Sequence, residues 1–317
     1  MPFVRTILGD IAPTVMGLTY SHEHIVIEEG FATLSNPDFI LNDTELISKE
    51  LEAFYELGGR TVVDTMPAAC GRNVVKLAAV SRQSGVNIIV PTGMHLEIYY
   101  PPNHWRYYLS VDELTALFIK DITEGIDIYD YNSPVIKRTH NKAGLIKLAT
   151  GDEAITVHQQ KIFEAVVNAH LETGVPILTH TNSGLQAMEQ VELFAKLGAK
   201  LNHVVLSHVD KRKDVQYHKD LMQTGVYLEY DSHFRWKQVN ENPTYDLLEA
   251  LLPDHSEQIV IGMDMARNTY WKSYNGKPGL TYLLTTFKEE LEKRGLGQYY
   301  DSLFLFNPQQ LFCFHKK

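Results

Sequence analysis

Short apolar runs alternate along the chain with longer stretches whose apolar residues recur at helical spacing. The runs are Gly17–His24, Arg60–Thr65, Val86–Thr92, Gly144–Ala149, Val175–His180, Val204–His208, Val226–Tyr230 and Ile259–Asp264. Each is rich in Val, Ile, Leu or Thr and bounded by Gly, Pro or polar residues, as buried strands are. Between them, Thr44–Leu57 predicts a helix that stops at Gly58-Gly59. Val157–Glu172 stops near Gly174, ahead of Pro176, and Gln186–Leu197 stops at Gly198. A glycine just past the last apolar turn is a helix stop signal. Eight strands alternating with helices predict an α/β fold with a parallel sheet. Successive strand ends fall roughly 34 residues apart, one βα unit each, which favours a closed (β/α)8 TIM barrel in a single domain, 1–317. A doubly wound open sheet is the runner-up, but its usual G-x-G-x-x-G turn is absent. Two stretches exceed what a barrel needs: the aromatic, Pro-rich Leu96–Tyr108 after the third strand, and Arg267–Gly279 after the eighth. Loops in those places build substrate pockets.

Composition narrows the function. Of 317 residues, 44% are hydrophobic and 21% charged, enough for a core and a polar surface, and the formal charge is −10. No broad cationic field exists, so a nucleic-acid partner is not expected. An anionic substrate would need locally gathered basic groups. Cys70 and Cys313 are the only cysteines, which excludes a disulfide framework or a Cys-rich zinc module. The N-terminal stretch has no continuous apolar h-region, and no apolar run is long enough to cross a bilayer. The expectation is a cytoplasmic protein with no membrane partner.

The informative chemistry stands at the strand ends. The first run closes on Ser21-His22-Glu23-His24. His22 and His24 are two apart, so on an extended strand they face the same side and can share a metal. The fifth run ends at His180, the sixth at His208 and the eighth at Asp264. All lie at C-terminal strand ends, the face where barrel active sites form. Four imidazoles and a carboxylate suit divalent metal, with Zn2+ the first choice. The fourth run places Lys147 among apolar neighbours. A buried ammonium tends to lose its proton. The neutral amine can then take up carbon dioxide as a carbamate, whose two oxygens can bridge two cations. Taken singly, a strand-end His is ordinarily a core or surface residue, and a strand Lys ordinarily an edge or snorkelling one. The ordered set His-x-His, Lys, His, His, Asp is what points to two metals. His140, His158, His170, His203, His218, His233, His255 and His315 lack this setting and read as ordinary. His95 and His104 sit on a loop that can line a pocket.

These motifs (YSHEH at 20–24, AGLIKLA at 143–149, PILTH at 176–180, LSH at 206–208 and IGMD at 261–264) resemble those of the phosphotriesterase-like family of the amidohydrolase superfamily, over nearly the whole chain. The resemblance implies that His22, His24 and Asp264 hold one metal, that His180 and His208 hold the other, and that carboxylated Lys147 bridges them. It implies metal-assisted hydrolysis, with Asp264 as the catalytic proton carrier. Paraoxon-hydrolysing members pass that proton along an Asp–His relay. Here Asp210 and Asp231 are present, but Ser232 follows Asp231 directly. Quorum-sensing lactonases place a Tyr soon after the third strand's Thr-Gly. Here Thr92-Gly93-Met94 leads to His95.

A basic cluster suggests the substrate. Arg235 and Lys237 follow the seventh strand, and Arg267, Tyr270 and Lys272 follow the eighth. Barrels often receive a phosphate there, and Arg clamps phosphate with paired hydrogen bonds. The arrangement is similar to the branch that hydrolyses phosphorylated sugar lactones, with Lys237, Arg267 and Tyr270 as the phosphate contacts. The expectation is a binuclear metallohydrolase opening a phosphorylated sugar 1,4-lactone, a small anionic substrate. A promiscuous phosphotriesterase or carboxylesterase of the same family is the alternative. A metal-free Schiff-base lyase using Lys147 is the alternative from another class, and a non-catalytic barrel a third. The Tyr99–Tyr108 region fits a pocket wall or a homodimer surface equally.

Overall fold

The computed structural model describes residues 2–236 and 242–314. A small antiparallel hairpin, β1 (Val4–Thr6) and β2 (Gly9–Ile11), precedes the main strands. These are β3 (Leu18–Glu23), β4 (Gly59–Asp64), β5 (Asn87–Ile89), β6 (Pro91–Gly93), β7 (Leu145–Ala149), β8 (Ile177–His180), β9 (Val204–Ser207), β10 (Tyr227–Tyr230) and β11 (Ile259–Ile261). Each pairs in parallel with its sequence neighbour, except that β5 and β6 are successive halves of the third predicted strand. β5 pairs with β4 and β6 with β7. Pro91, at the break, has no N–H to give a ladder, while Gly144 donates to the Val90 carbonyl at 2.8 Å. At the other end, the N–H groups of Met263 and Asp264 both donate to the His22 carbonyl, at 3.1 and 2.9 Å, bringing the end of β11 against β3. The result is the (β/α)8 barrel of the sequence expectation.

The strands read as unbroken apolar runs because both faces are buried. Val62, Ile88, Ile146, Ile177, Leu206, Leu228 and Ile261 pack outward in the main core, under the helices. Their neighbours Val63, Ile89, Leu145, Leu178, Val205, Tyr227 and Val260 form a second, inward cluster. Side chains alternate along a strand, so the inward face continues at the second residue beyond each of these. There it turns polar: Lys147 after Leu145, His180 after Leu178, Ser207 after Val205 and Glu229 after Tyr227. The candidate chemistry rests on an apolar layer.

Helices α1 (Thr44–Glu56), α2 (Val74–Ser84), α3 (Val111–Thr123), α4 (Val157–Thr173), α5 (Ala187–Leu197), α6 (Val215–Gln223), α7 (Pro243–His255), α8 (Thr286–Lys293) and α9 (Asn307–Leu311) connect the strands or follow them. The sequence reading singled out only the first, fourth and fifth. Four of the others carry start signals that it did not use. Asn73, Asp214 and Asn242 cap α2, α6 and α7, and Ser110 forms a capping box with Glu113 on α3. His208 and Asp264 take left-handed backbone, φ 65° and 48°. β9 stops at Ser207, directly before His208, while β11 stops at Ile261, three residues before Asp264.

Two glycines are demanded by close approach at the barrel mouth. A Cβ on Gly93, at φ 100°, would lie 1.9 Å from the Lys147 carbonyl oxygen, and one on Gly262 would lie 2.7 Å from the His22 Cβ.

Candidate metal centre

Six side chains singled out from sequence arrive at one place. His22 is on β3 and His24 just beyond it. Lys147 is in the middle of β7, and His180 ends β8. His208 follows β9, and Asp264 stands three residues past β11. The His22 and His208 rings are 4.7 Å apart, His180 and His208 4.5 Å, and His22 and His24 5.8 Å, centroid to centroid. Asp264 Oδ1 lies 3.2 Å from His24 Nε2 and 3.8 Å from His22 Nε2. Lys147 lines the same cavity as His24, His180, His208 and Asp264. Its Nζ, together with His22 Nε2 and His180 Nε2, is buried without a hydrogen-bond partner. Each such orphan costs about 1–3 kcal/mol. His22 and His180 both stand against the His208 ring, and Lys147 shares the cavity wall with His180, so the three orphans fit a group that accepts lone pairs.

The surroundings fix which ring nitrogen faces inward. His22 Nδ1 is 3.1 Å from both Glu229 Oε2 and Ser207 Oγ, and His208 Nδ1 bonds Asp231 Oδ2. Two groupings could therefore be drawn. His22, His24 and Asp264 bring ligand atoms within 4.8 Å of one another, and so do His22, His208, Glu229 and Asp231. In the second, the carboxylates engage the Nδ1 sides of rings whose Nε2 edges remain for the cavity. We read Glu229 and Asp231 as orienting carboxylates, the usual outer partners of metal-binding histidines.

Charge states suit metal. Burial, then the Lys147 charge, holds the His22 imidazole well below its usual pKa. Burial lowers His24 despite the hydrogen bond to Asp264. Burial and then His208 hold His180 well below its usual value. Neutral imidazoles offer lone pairs. Burial pushes Lys147 down to about 8, so an uncharged amine is accessible near neutral pH. Burial works to raise Asp264, but the Arg235 guanidinium and the His24 hydrogen bond outweigh it and hold the carboxyl well below the usual range. Arg235 Nη2 donates to Asp264 Oδ2 at 2.9 Å and Nη1 to Asp231 Oδ1 at 3.3 Å.

Arg235, a member of the basic cluster that the sequence reading did not count among the phosphate contacts, thus stands among the orienting groups. The remaining members of that cluster separate. Arg267 and Tyr270 line the cavity, which holds about 260 Å³. Arg267 is paired with Asp38 and lies 4.5 Å over the Phe39 ring. Tyr270 meets Phe234 edge to face at 5.2 Å. Lys272 donates to Thr281 Oγ1 at 3.0 Å and is not in the cavity wall. Lys237 lies outside the described residues. Sequence reasoning missed Lys211, which follows His208 by three and lines the cavity with no ion pair among the described residues. Its signal was its place directly after Asp210, in a stretch read only for a relay. That relay has other work: Asp210 accepts from Ser232 N and Thr244 Oγ1 at 2.8 and 2.6 Å. His233 bonds the Gly262 carbonyl and stacks on Tyr282. His95 lines the cavity, while His104 lines a neighbouring one. Tyr99 is also a cavity residue, whereas Tyr108 at the far end of that loop is exposed.

Among the described residues, no helix is long and apolar enough to cross a membrane. The chain is 31% identical to a phospho-furanose lactonase of Mycoplasmopsis agalactiae, over 98% of this chain and 92% of that one. It superposes on the crystal structure of an amidohydrolase from Mycoplasma synoviae with a TM-score of 0.93 and 30% identity, covering 100% of this chain and 93% of the other. A lactonase from Listeria monocytogenes gives a TM-score of 0.90 at 29% identity, covering 99% and 100%. The model of the phosphotriesterase family matches residues 2–312. The chain, an enzyme by these likenesses, belongs to the phosphotriesterase family.

Proposed function

We propose that this enzyme is a binuclear metallohydrolase that opens a phosphorylated sugar 1,4-lactone. The observation that carries the reading is the convergence of His22 Nε2, His180 Nε2 and Lys147 Nζ, all buried and unpartnered, beside an ionised Asp264. His22, His24 and Asp264 would hold one cation and His180 and His208 the other. Lys147, deprotonated and joined to carbon dioxide as a carbamate, would present two oxygens between them. Two divalent ions, Zn2+ by ligand type, would make hydroxide available near neutral pH and polarise the lactone carbonyl.

The chain's own residues do the rest. Asp264, kept anionic by Arg235, accepts the proton of the attacking water and returns it to the ring oxygen as the ester C–O bond breaks. Water adds to the carbonyl carbon and the product is the open hydroxy acid. Glu229 and Asp231 keep the histidine rings oriented. Arg267, Lys211 and Tyr270 supply the positive and hydrogen-bonding wall for a phosphate, while Lys237, the other contact expected from sequence, lies outside the described residues. The phospho-furanose lactonase among the relatives supports this substrate class. A Schiff-base lyase would leave four strand-end histidines and Asp264 without a task.

The test is hydrolysis of an aldono-1,4-lactone phosphate beside its unphosphorylated counterpart. The expected result is turnover with kcat/KM favouring the phosphate by ~10-fold or more, the worth of one charge-assisted contact. Equal turnover of the two would remove the phosphate assignment, and turnover of neither would remove the lactonase.

A further inference from the structure

His95 follows β6 and faces the cavity beside His180, with ring centroids 5.3 Å apart. The sequence gives it no role beyond its loop position. Its surroundings fix both place and tautomer. The backbone N–H of Leu96 donates to His95 Nδ1 at 2.7 Å. An amide nitrogen can only donate, so Nδ1 carries the lone pair and the ring proton is on Nε2. The ring lies against Tyr99, edge to face, at 4.5 Å. The His95 N–H donates to the Tyr100 hydroxyl at 2.9 Å, and that hydroxyl donates onward to the Ala68 carbonyl at 3.1 Å. The Arg106 guanidinium donates to the His95 carbonyl at 2.9 Å. Backbone and ring are therefore held from several sides. Among the described residues, no hydrogen bond uses the Nε2 proton.

A fixed N–H donor, in a walled cavity and beside the ring of His180, is the arrangement that stabilises charge as it develops. We propose that His95 is a catalytic residue whose Nε2–H donates to the lactone oxygen that gathers negative charge as the ring opens. The proton stays on Nε2 throughout, so no transfer is required of the imidazole. The proposal rests on the lactonase reading above and adds the residue that would meet the substrate opposite Asp264's proton work.

The experiment compares wild-type, His95→Phe and His95→Gln enzymes, all loaded with metal, on the phosphorylated 1,4-lactone. Metal content is measured alongside, and 15N-histidine spectra of the wild type report its tautomer. Phe keeps a ring against Tyr99 and removes the donor, while the Gln amide restores an N–H near the same reach. The expected result is a kcat for His95→Phe lowered on the order of 10²-fold with KM and metal content close to wild type. Part of the loss should return in His95→Gln, and the spectrum should place the proton on Nε2. Full kcat in His95→Phe would overturn the proposal while leaving the lactonase reading intact. Metal loss in step with activity would overturn it too, since His95 would then hold the site together. So would a spectrum placing the proton on Nδ1. A wild type that opens no lactone would remove the reading beneath the proposal, and the proposal with it.

Discussion

The floor and the rim of the cavity are built in opposite ways. On the floor, His22, Lys147 and His180 belong to strands, and His24, His208 and Asp264 leave strands within a few residues. Every one of those strands is paired on both sides or tied across by backbone hydrogen bonds, and buried carboxylates stand behind the rings. On the rim, Arg267 and Tyr270 sit on a loop, and Arg267 reaches across to Asp38 on another. The floor is positioned by sheet register, which cannot slip without turning every side chain to the other face. The rim is positioned by contacts that a ligand can exchange. Chemistry shared by a family belongs on the first, and substrate choice on the second.

The comparison breaks most visibly on the floor. Lys147→Ala should remove the bridge between the cations and lower kcat by roughly 10³-fold or more, since metal assistance contributes several kcal/mol to the barrier. Steady-state kinetics with parallel metal analysis would show it. A variant that keeps both metal and rate would place Lys147 outside the site. Behind the floor, Glu229→Ala should weaken metal affinity by about 10–100-fold, as loss of such outer partners does. Competition with a chelator measures this, and unchanged affinity would return Glu229 to a packing role.

On the rim, Arg267→Ala should raise KM for the phosphorylated lactone by about 10-fold while leaving kcat and the unphosphorylated lactone nearly unaffected, because one charge-assisted contact is lost. Equal effects on both substrates would mean that Arg267 serves the loop through Asp38 alone. The smallest effect concerns acid. In the metal-free fold, burial holds His22, His24 and His180 below the ordinary imidazole value of about 6.5. Below about pH 6.5 the unfolded chain therefore binds protons that the fold refuses, so stability is present above that pH and declines as pH falls. Urea titrations of chelated protein should show the midpoint dropping on acidification through that region. A flat profile there would contradict the burial of these rings.

Much of the floor was legible because its residues mark strand ends, and a strand end is a local property of the sequence. His-x-His, the lone lysine of an apolar run and the closing His and Asp each announce themselves within a few positions. The orienting layer was not legible. Glu229 sits inside the seventh predicted run, and only the register of β10 against β9 and β11 turns it toward His22. Arg235 was read only as one member of a basic cluster after the seventh strand. Its role came instead from the Asp231 and Asp264 oxygens around it. His208 and Asp264 were read as strand residues because apolar runs do not reveal a left-handed turn. Lys211 was hidden because facing a cavity depends on the loop's path. Among the unassigned helices, α2, α3, α6 and α7 had caps in plain view, and attention to Asn, Ser and Asp at those positions would have found them.

The most direct measurement is a crystal structure of the protein loaded with a divalent metal in the presence of bicarbonate, with anomalous data collected at the metal edge. The account predicts about two anomalous peaks bounded by His22, His24, His180, His208 and Asp264, with continuous density extending from Lys147 Nζ to lie between them. A single peak, or a bare Lys147 amine remote from any metal, would contradict it.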